Sequence, residues 1–590
     1  SVRWYPVKSQ ADGLALDFPS IGMLAKGQKL TGSGAGTLVS NVKLGASSMP
    51  GDGVIGKVHK DDGQKKPYTE YLGLFCEVEG NISNLTLKDP TLSLDDTGQT
   101  GGNFRHLSGV GILCGRSEGK LNDVTVQWTK NGQDTVEVLL ADRSESVPSE
   151  KVCGIGGVVG VLAKKEADGS LSELTDSEVN GITMNGSVTG SLPKPESVAD
   201  GMSVEEQAKE YQYGIGGIFG YARMGGGVKA ESCENHADVT GNLFTGGIGG
   251  KMDGSYRSLD DTGTRSGDTA PDLKDCISDG LVLCSSKVNH SMEMEGRYFG
   301  GILGFGAGAW VEESYSASGR FGNHRYDVSK KDEMLLGRYV GGIIGYGNRS
   351  LIAGCSTKKG GYILGSDFVG GIAGGLSNDL RYAIQGTESI TVTSNAGYVI
   401  GNNYVGGIVG KNDGVQGAES AILNCVNQGV AAGYGRYIGG IVGYNGQYGT
   451  ISDCASYLSD YDQSIYRMVT ETWEAGTGNC VGGMAGYNDG MIQFSDSGNI
   501  TVKSVASLVV GRHFVGGMIG FNDIHGNLGE DLNENYTLIG GRIHGYGNAV
   551  GGCIGLNTST GILKNDLEVK PASVTGAYYV GGCIGANVVD

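Results

Sequence analysis

Proline is scarce in this sequence, and the hallmarks of two common glycine-rich protein classes are missing. Of 590 residues, 10 are proline and 108 are glycine, and the glycines follow no three-residue period. A collagen triple helix needs glycine at every third position together with abundant proline, and unstructured linkers are usually rich in proline. Both classes are therefore excluded, and a folded, turn-rich β protein is left.

Long apolar runs and excess positive charge are also absent. No stretch of about 18 apolar residues occurs, so we expect no membrane insertion. The start SVRWYPVKSQ lacks the apolar part of a secretory signal, which leads us to expect a mature or trimmed sequence. Lys and Arg number 45 against 64 Asp and Glu, for a net charge of -19. Because such a surface repels phosphate groups, nucleic acid is not an expected partner.

Complete catalytic motifs are missing as well. The 8 histidines contain no HExxH spacing, which excludes a zinc-peptidase centre of that type. GRSEG at 115–119 matches the GxSxG of serine hydrolases, but it occupies a turn of the repeat and lacks the required strand-to-helix setting. We therefore predict no catalytic residues, no cofactor and no enzyme activity.

Cysteine is too sparse for a disulfide scaffold. None of the 12 cysteines forms a CxxC pair, which removes the common zinc and redox motifs. Five share one place in a repeat and two share another: Cys233, Cys276, Cys355, Cys425 and Cys454, then Cys553 and Cys583. Buried, stacked thiols are our main interpretation, because free cysteine packs well in a core. Disulfides between adjacent coils are the alternative.

A repeated unit dominates what the sequence does contain. VGGIVG at 405, IGGIVG at 438, VGGMAG at 481 and VGGMIG at 515 are copies of it, and further copies run from 155 to 580. A second half-unit, such as ILNCVNQG at 422 or ISDCASYL at 451, indicates two short strands around a turn. We expect the glycine pairs at a corner, where glycine permits positive φ or close backbone approach. The clearest pairs are Gly406, Gly407, Gly439, Gly440, Gly482, Gly483, Gly516 and Gly517.

Units of this kind cannot bury an apolar face alone and must stack on their neighbours. The sequence therefore predicts an all-β chain folded as a right-handed parallel β-helix, a solenoid with loop insertions. We expect degenerate coils or a cap over 1–110, coils with large insertions over 111–337, and regular GGxxG coils over 338–590, truncated at the C-terminal end. Insertions at about 161–213, 252–280 and 305–337 are candidate binding loops, since solenoid coils themselves are fixed by stacking.

Polar residues after the motif define one corner of the predicted coil. Asn follows most copies and predicts an asparagine ladder, because identical side chains in adjacent coils hydrogen-bond to one another. Asp413, Asp489 and Asp523 come next in the chain. We interpret them as corner turns first and as weak candidates for calcium ligands second.

An aromatic residue precedes most motif copies and predicts a ladder that reaches the surface. Strict alternation would make both faces of the strand apolar, so either the glycines add a bulge or the outer face packs against insertions or a second chain. An intramolecular ladder is our main interpretation, and a sugar-stacking platform or a lateral self-association surface is the alternative. The residues are Phe299, Tyr339, Phe368, Tyr404, Tyr437, Phe514 and Tyr579.

Units of the form VGGIVGYN, a turn and I.(N/D)C...G resemble the GLUG repeat of bacterial surface proteins. The resemblance is clearest from about 340 to 590, although Cys553 and Cys583 replace the usual aliphatic residue. Such repeats occur in adhesin-like proteins and in IgA-specific metallopeptidases, outside the catalytic centre. The resemblance therefore implies an extracellular location, on a bacterial cell surface or secreted.

We accordingly predict a non-catalytic surface protein, an adhesin or rigid stalk, that presents loops to a protein or glycan of a host or neighbouring cell. One alternative is the β-helical accessory region of a secreted peptidase or of a polysaccharide-active enzyme. Another is a structural filament that self-associates through coil ends or lateral faces.

Overall fold

A computed structural model shows a β-helix whose described coils contribute strands to up to four parallel sheets. The structure describes residues 21–31, 37–40, 42–44, 71–95, 107–129, 135–140, 152–192, 208–225, 228–254, 271–285, 296–316, 335–378, 384–385, 393–416, 420–456, 478–494, 508–529, 537–538, 541–560 and 568–588. Within these ranges, one short helix occurs at 208–210, and no helix is long and apolar enough to cross a membrane.

One coil shows how the chain runs through the sheets. It takes them in the order 1, 2, 3 and 4, with a glycine-pair corner between sheets 1 and 2, and the next coil begins again in sheet 1. The segments of this coil are Arg338–Gly341, Ile344–Asn348, Leu351–Ala353 with Ser356–Thr357, and Tyr362–Leu364.

Sheet 1 consists of 14 described strands, most of which end at the first glycine of a motif. They are Tyr71–Leu72, Gly109–Val110, Val152–Gly156, Gln212–Gly216, Leu243–Gly246, Arg297–Gly300, Arg338–Gly341, Asp367–Gly370, Asn403–Gly406, Arg436–Gly439, Asn479–Gly482, Val515–Gly516, Asn548–Gly551 and Tyr578–Gly581.

Sheet 2 consists of 15 described strands, which start after the corner. They are Ile21–Leu24, Phe75–Val78, Cys114–Ser117, Val159–Leu162, Phe219–Arg223, Gly249–Asp253, Leu303–Ala307, Ile344–Asn348, Ala373–Asn378, Val409–Gly414, Val442–Asn445, Ala485–Asn488, Ile519–Asn522, Ile554–Asn557 and Ile584–Asn587. At a strand spacing of about 4.8 Å, this stack is about 70 Å long.

Sheet 3 receives one long strand or two short strands from each coil. Its described strands are Lys29–Thr31, Thr37–Ser40, Asn81–Lys88, Leu121–Gln127, Val179–Asn180, Thr183–Met184, Ala230–Glu231, Glu234–Asn235, Leu273–Lys274, Ile277–Ser278, Trp310–Glu312, Tyr315–Ser316, Leu351–Ala353, Ser356–Thr357, Ile384–Gln385, Ser394–Asn395, Ser420–Leu423, Val426–Asn427, Gly449–Ser452, Ala455–Ser456, Met491–Gln493 and Asn527–Leu528.

Sheet 4 is divided into three stacks in the described residues. The stacks are Lys43–Leu44, Thr91–Asp95, Val136–Leu139, Ser187–Ser191, Asp238–Gly241 and Val282–Cys284, then Tyr362–Leu364, Tyr398–Gly401 and Val430–Gly433, then Leu508–Gly511, Arg542–Gly545 and Ser573–Thr575. Two small pairs lie beside the coils, an antiparallel one of Lys164–Lys165 with Leu171–Ser172 and a parallel one of Thr537–Leu538 with Glu568–Val569.

The register of sheet 1 aligns every copy of the motif. The first glycine of each copy pairs with the first glycine of the next copy, whatever the length of chain between them. This column is Gly156, Gly216, Gly246, Gly300, Gly341, Gly370, Gly406, Gly439, Gly482, Gly516, Gly551 and Gly581. The prediction of an all-β parallel β-helix is therefore confirmed. The same sheets continue past residues 110 and 337, where the sequence predicted the ends of the first two regions.

The insertions are shorter than the sequence predicted. Much of 161–213 belongs to an ordinary coil, with strands such as Val179–Asn180 and Ser187–Ser191. This coil was missed because its second half-unit has Gly181 and Ile182 where other copies have Asn or Asp and Cys. The expected insertions at 252–280 and 305–337 likewise begin and end within coils, and their centres lie outside the described residues.

A kink in sheet 3 explains the recurring (N/D)C dipeptide. One residue between the two half-strands has positive φ, as in Asn424 at 50° and Asp453 at 52°. Asn and Asp tolerate this left-handed conformation better than most residues, and the next side chain turns into the core. Cys425 and Cys454 occupy that inward position and are buried.

The buried-thiol interpretation is confirmed at six of the seven repeat positions, whereas Cys583 is exposed. All 12 cysteines are described, and all are free. Burial raises the pKa of the Cys355 thiol to about 12, so it stays protonated. Free thiols at the six buried positions therefore fill the core of successive coils without bridges.

The sequence predicted either positive φ or close backbone approach for the glycine pairs, and only close approach is found. Positive φ belongs to the residue two positions before most pairs, such as Tyr404 at 56°, and no glycine of the pairs has it among the described residues. The pairs serve close approach instead. A Cβ added to Gly406 would lie 1.9 Å from the Val409 carbonyl oxygen, and one on Gly407 would lie 2.1 Å from the Gly440 carbonyl oxygen.

The last glycine of GGxxG brings sheets 1 and 2 into backbone contact. A Cβ added to Gly443, in sheet 2, would lie 2.6 Å from the carbonyl carbon of Tyr404 and from the amide nitrogen of Val405, in sheet 1 of the preceding coil. Equivalent glycines at 345, 374, 410, 486, 520, 555 and 585 meet the backbone in the same way. No side chain fits between the two sheets at these positions.

We expect Gly443→Ala to destabilise the coils around it by about 1–3 kcal/mol, because a backbone neighbour cannot yield to an added methyl group. The matched control is Gly582→Ala, since a Cβ on Gly582 meets nothing within 4 Å. Thermal unfolding followed by circular dichroism measures both. Equal melting temperatures for the two variants would contradict the proposed close packing.

Candidate functional site

An asparagine ladder fixes the corner that follows sheet 2. Five hydrogen bonds, each 2.8–2.9 Å long, run from one side-chain amide to the next side-chain oxygen. The ladder contains Asn412, Asn445, Asn488, Asn522, Asn557 and Asn587, and all but the last are buried. The predicted ladder is thus confirmed, and it sets the positions of the residues before and after each asparagine.

A first row of stacked rings lies at the end of sheet 1. Neighbouring rings have centroids 4.5–5.4 Å apart, and each residue has positive φ. That φ breaks the strict alternation of side chains, so neither a glycine bulge nor a second chain is needed to explain the pattern. The row contains Phe244, Tyr298, Tyr339, Phe368, Tyr404 and Tyr437.

Phe299 was assigned to this row by the sequence prediction, and that assignment is wrong. Phe299 pairs with Val340 in the register of sheet 1, whereas its neighbour Tyr298 stacks on Tyr339. Because residues 298 and 299 are both aromatic, the sequence alignment was shifted by one residue. Beyond Tyr437, Cys480 and Ala549 replace the ring at two positions with positive φ, and Phe514 and Tyr579 occupy two others.

A second row of rings, on sheet 2, was not predicted. The register aligns its members, and edge-to-face contacts join it to the first row, as between Tyr339 and Tyr346 at 5.0 Å and between Tyr437 and Tyr487 at 5.1 Å. The sequence signal was present, because this ring precedes the ladder asparagine in YN and FN. The members are Phe305, Tyr346, Tyr444, Tyr487 and Phe521. We call the two rows together the aromatic strip.

The N-terminal part of the aromatic strip is covered. Tyr298 and Phe305 are fully buried, and Lys251 lies 5.8 Å from the ring centre of Phe244 and 5.4 Å from that of Phe305. The Lys251 ammonium group donates to the carbonyl oxygens of Ala208, Lys209 and Tyr211, at the helix 208–210 and the residue after it. Packing of the outer face against an insertion, one of the two predicted explanations, therefore holds here.

The predicted surface ladder is thus only partly at the surface. Tyr339 and Phe368 are buried, at 3% and 8% exposure, whereas Tyr579 is 69% exposed. Between these extremes, rings of both rows are half-buried and present an edge or face to solvent. We call this group the open strip, and it consists of Tyr404, Tyr437, Tyr444, Tyr487, Phe514 and Phe521.

Three carboxylates border the open strip, and each has a partner. Asp413 pairs with Lys411 at 2.8 Å, and Asp489 lies 3.0 Å from Nδ1 of His525. Asp523 accepts hydrogen bonds from the Tyr487 hydroxyl and, at 3.0 Å, from Thr558. A carboxylate has about four acceptor positions, so each retains capacity for further donors.

Burial and nearby carboxylates raise the pKa of both Tyr444 and Tyr487 in the open strip. Burial and the nearby Asp413 and Asp489 raise the pKa of Tyr444 to about 12. Burial and the hydrogen bond to Asp523 raise the pKa of Tyr487 above its usual range. Burial opposes ionisation of Asp523, but hydrogen bonds led by that from Tyr487 lower its pKa. A phenol hydroxyl and an ionised acceptor therefore lie side by side at Tyr487 and Asp523.

A second polar cluster lies near the N-terminal end of the described coils. Arg116 is 1% exposed, and its guanidinium donates to Glu77 at 2.8 Å, to Glu118 at 2.7 Å and to the Ala163 carbonyl oxygen at 3.1 Å. Glu79 lies 3.5 Å away. Grouped acids with a base are what a polysaccharide-active enzyme would need. Here, however, they converge on one buried cation and compensate its charge.

The chain matches no protein-family model, and no curated protein or solved structure is similar to it. Across the ranges that the structure describes, no group of three or more His, Cys, Asp or Glu side chains is arranged to hold a metal ion. Asp413, Asp489 and Asp523 act as side-chain acceptors at the corner. The open strip and the coils that carry it are therefore the candidate functional site.

We expect Asn488→Ala to weaken the ladder, because it removes one acceptor of the Asn445 amide, which still donates to the Gly449 carbonyl oxygen, and the ladder donor to the Asn522 side-chain oxygen. Each buried group left unpaired costs about 1–3 kcal/mol. Hydrogen exchange of residues 485–493 should therefore accelerate, at least about tenfold. Asn587→Ala is the control, because Asn587 is exposed and makes the terminal ladder bond. Unchanged exchange in Asn488→Ala would refute the ladder's stabilising role.

Proposed function

We propose that this chain is the stiff, non-catalytic part of an extracellular bacterial protein, an adhesin or stalk, that attaches to a protein or glycan of a host or neighbouring cell. The resemblance to GLUG repeats supports the location and the bacterial source, and it remains a prediction. The acidic composition is compatible with a soluble surface partner and disfavours nucleic acid.

One observation carries this proposal: the twelve motif copies keep one register through every insertion. Coils fixed by backbone contact and by side-chain ladders cannot rearrange easily, so they hold an attached surface in a constant geometry. A catalytic centre would need acids or nucleophiles free to react. The best grouped acids, around Arg116, are instead engaged with a buried cation.

Attachment without turnover is the expected result. Beads coated with the full chain should adhere to bacterial or host-cell surfaces, while a parallel screen of peptides and polysaccharides shows no cleavage by mass spectrometry. Beads coated with heat-unfolded chain provide the control. If the beads adhere to none of the surfaces tested, the proposal of an adhesin is refuted.

The enzyme alternative has its own variants in the same screen. If reproducible cleavage occurs and Glu77→Gln or Glu118→Gln abolishes it, the chain is an enzyme and the Arg116 cluster is its centre. We expect both variants to adhere as well as the parent chain, because neither residue borders the open strip.

A further inference from the structure

We propose that the open strip binds a neutral, linear polysaccharide that lies along the coil axis. This inference deepens the proposed function and rests on it, since it names the ligand class through which the rod attaches. The two ends of the aromatic strip differ in exposure. An insertion covers the strip near Phe244 and Phe305, whereas rings from Tyr404 to Phe521 reach solvent.

Two consecutive coils of the open strip carry the same constellation of a ring, a ladder asparagine and an aspartate. Tyr487 and Asp489 lie on either side of Asn488, and Phe521 and Asp523 flank the next ladder asparagine in the same way. Tyr444 and Tyr487 stack in parallel with centroids 4.7 Å apart. A surface that repeats with the coil spacing of about 4.8 Å matches a ligand that repeats on a similar scale, and a pyranose unit is of that size.

The side chains of the open strip suit a polyol. The exposed parts of these rings are largely apolar, and carbohydrate C–H groups pack on aromatic surface much as bases stack on aromatic side chains. Asp489 and Asp523 accept hydrogen bonds and cannot donate while ionised, so they complement sugar hydroxyl groups. The same carboxylates repel anionic chains, which favours a neutral polymer over a uronate, a sulfated glycan or a nucleic acid.

The size of the open strip argues against a second protein. Its six aromatic side chains are each about a third exposed or less. At about 150–250 Å² for a whole side chain, the rings together offer at most roughly 400 Å². A stable protein interface needs about 800 Å² from each partner. A polysaccharide needs only a narrow track, one ring wide and several coils long.

The experiment is affinity electrophoresis of the full chain in gels that contain neutral polymers, namely a mixed-linkage β-glucan, a glucomannan and a glycol chitin. We expect at least one to retard the parent chain. Tyr444→Ala/Tyr487→Ala should weaken that binding at least about tenfold, because stacking on each ring contributes about 1–3 kcal/mol. The variant Tyr444→Leu/Tyr487→Leu keeps apolar side chains at both positions but removes the aromatic rings. We expect it to lose binding to the same extent as the alanine variant.

Tyr362→Ala/Tyr398→Ala is the matched control. These two tyrosines also stack between adjacent coils, with centroids 4.9 Å apart, but they lie on sheet 4. Circular dichroism checks that all variants fold. Retained binding in the control together with loss in both strip variants supports the proposal.

Two results would overturn the proposal. The first is no retardation by any neutral polymer, or equal binding by the parent chain and the strip variants. The second is concentration-dependent self-association of the parent chain that the strip variants lose, which would make a second copy the occupant. In either case, if beads coated with the strip variants still attach to cells, the proposed adhesin function is retained and its binding site lies elsewhere on the chain.

Discussion

Backbone contact between sheets 1 and 2 is the constraint on which this molecule depends. Glycine at the end of GGxxG lets the backbone of one sheet lie directly against that of the other, as Gly443 does against Tyr404 and Val405. Any larger residue there would separate the sheets and shift the corner of that coil. Because sheet 1 pairs every copy of the motif in register, such a shift would also reach the neighbouring coils.

Fixed register turns single residues into continuous rows. The asparagine of each copy is placed one strand spacing from the next, so a side-chain amide bonds to the neighbouring side-chain oxygen along the corner. The ring before each asparagine and the ring before each glycine pair form rows for the same reason. The rows are therefore consequences of the packing of sheets 1 and 2, and the coil axis is the direction in which surface chemistry repeats.

The sequence predicted what depends on repetition and failed where neighbouring residues compete for one role. The fold, the asparagine ladder and the buried cysteines follow from a recurrent motif. The correct ring at 298 could not be separated from Phe299, since periodicity alone does not show which of two aromatic residues has positive φ. The second row escaped notice because Lys251, Gly375 and Lys411 interrupt it, and only the register reveals one column.

Exposure of the aromatic strip could not be predicted at all, because it depends on residues distant in sequence. Lys251 is buried only because carbonyl oxygens at 208–211 accept its three donors, and burial lowers its pKa. Lys251 thus holds the segment 208–211 against the rings by hydrogen bonds. In the open strip, Lys411 pairs instead with Asp413 of its own strand and stays half-exposed. The same repeated surface is therefore covered at Lys251, where an insertion packs on it, and partly exposed at Lys411.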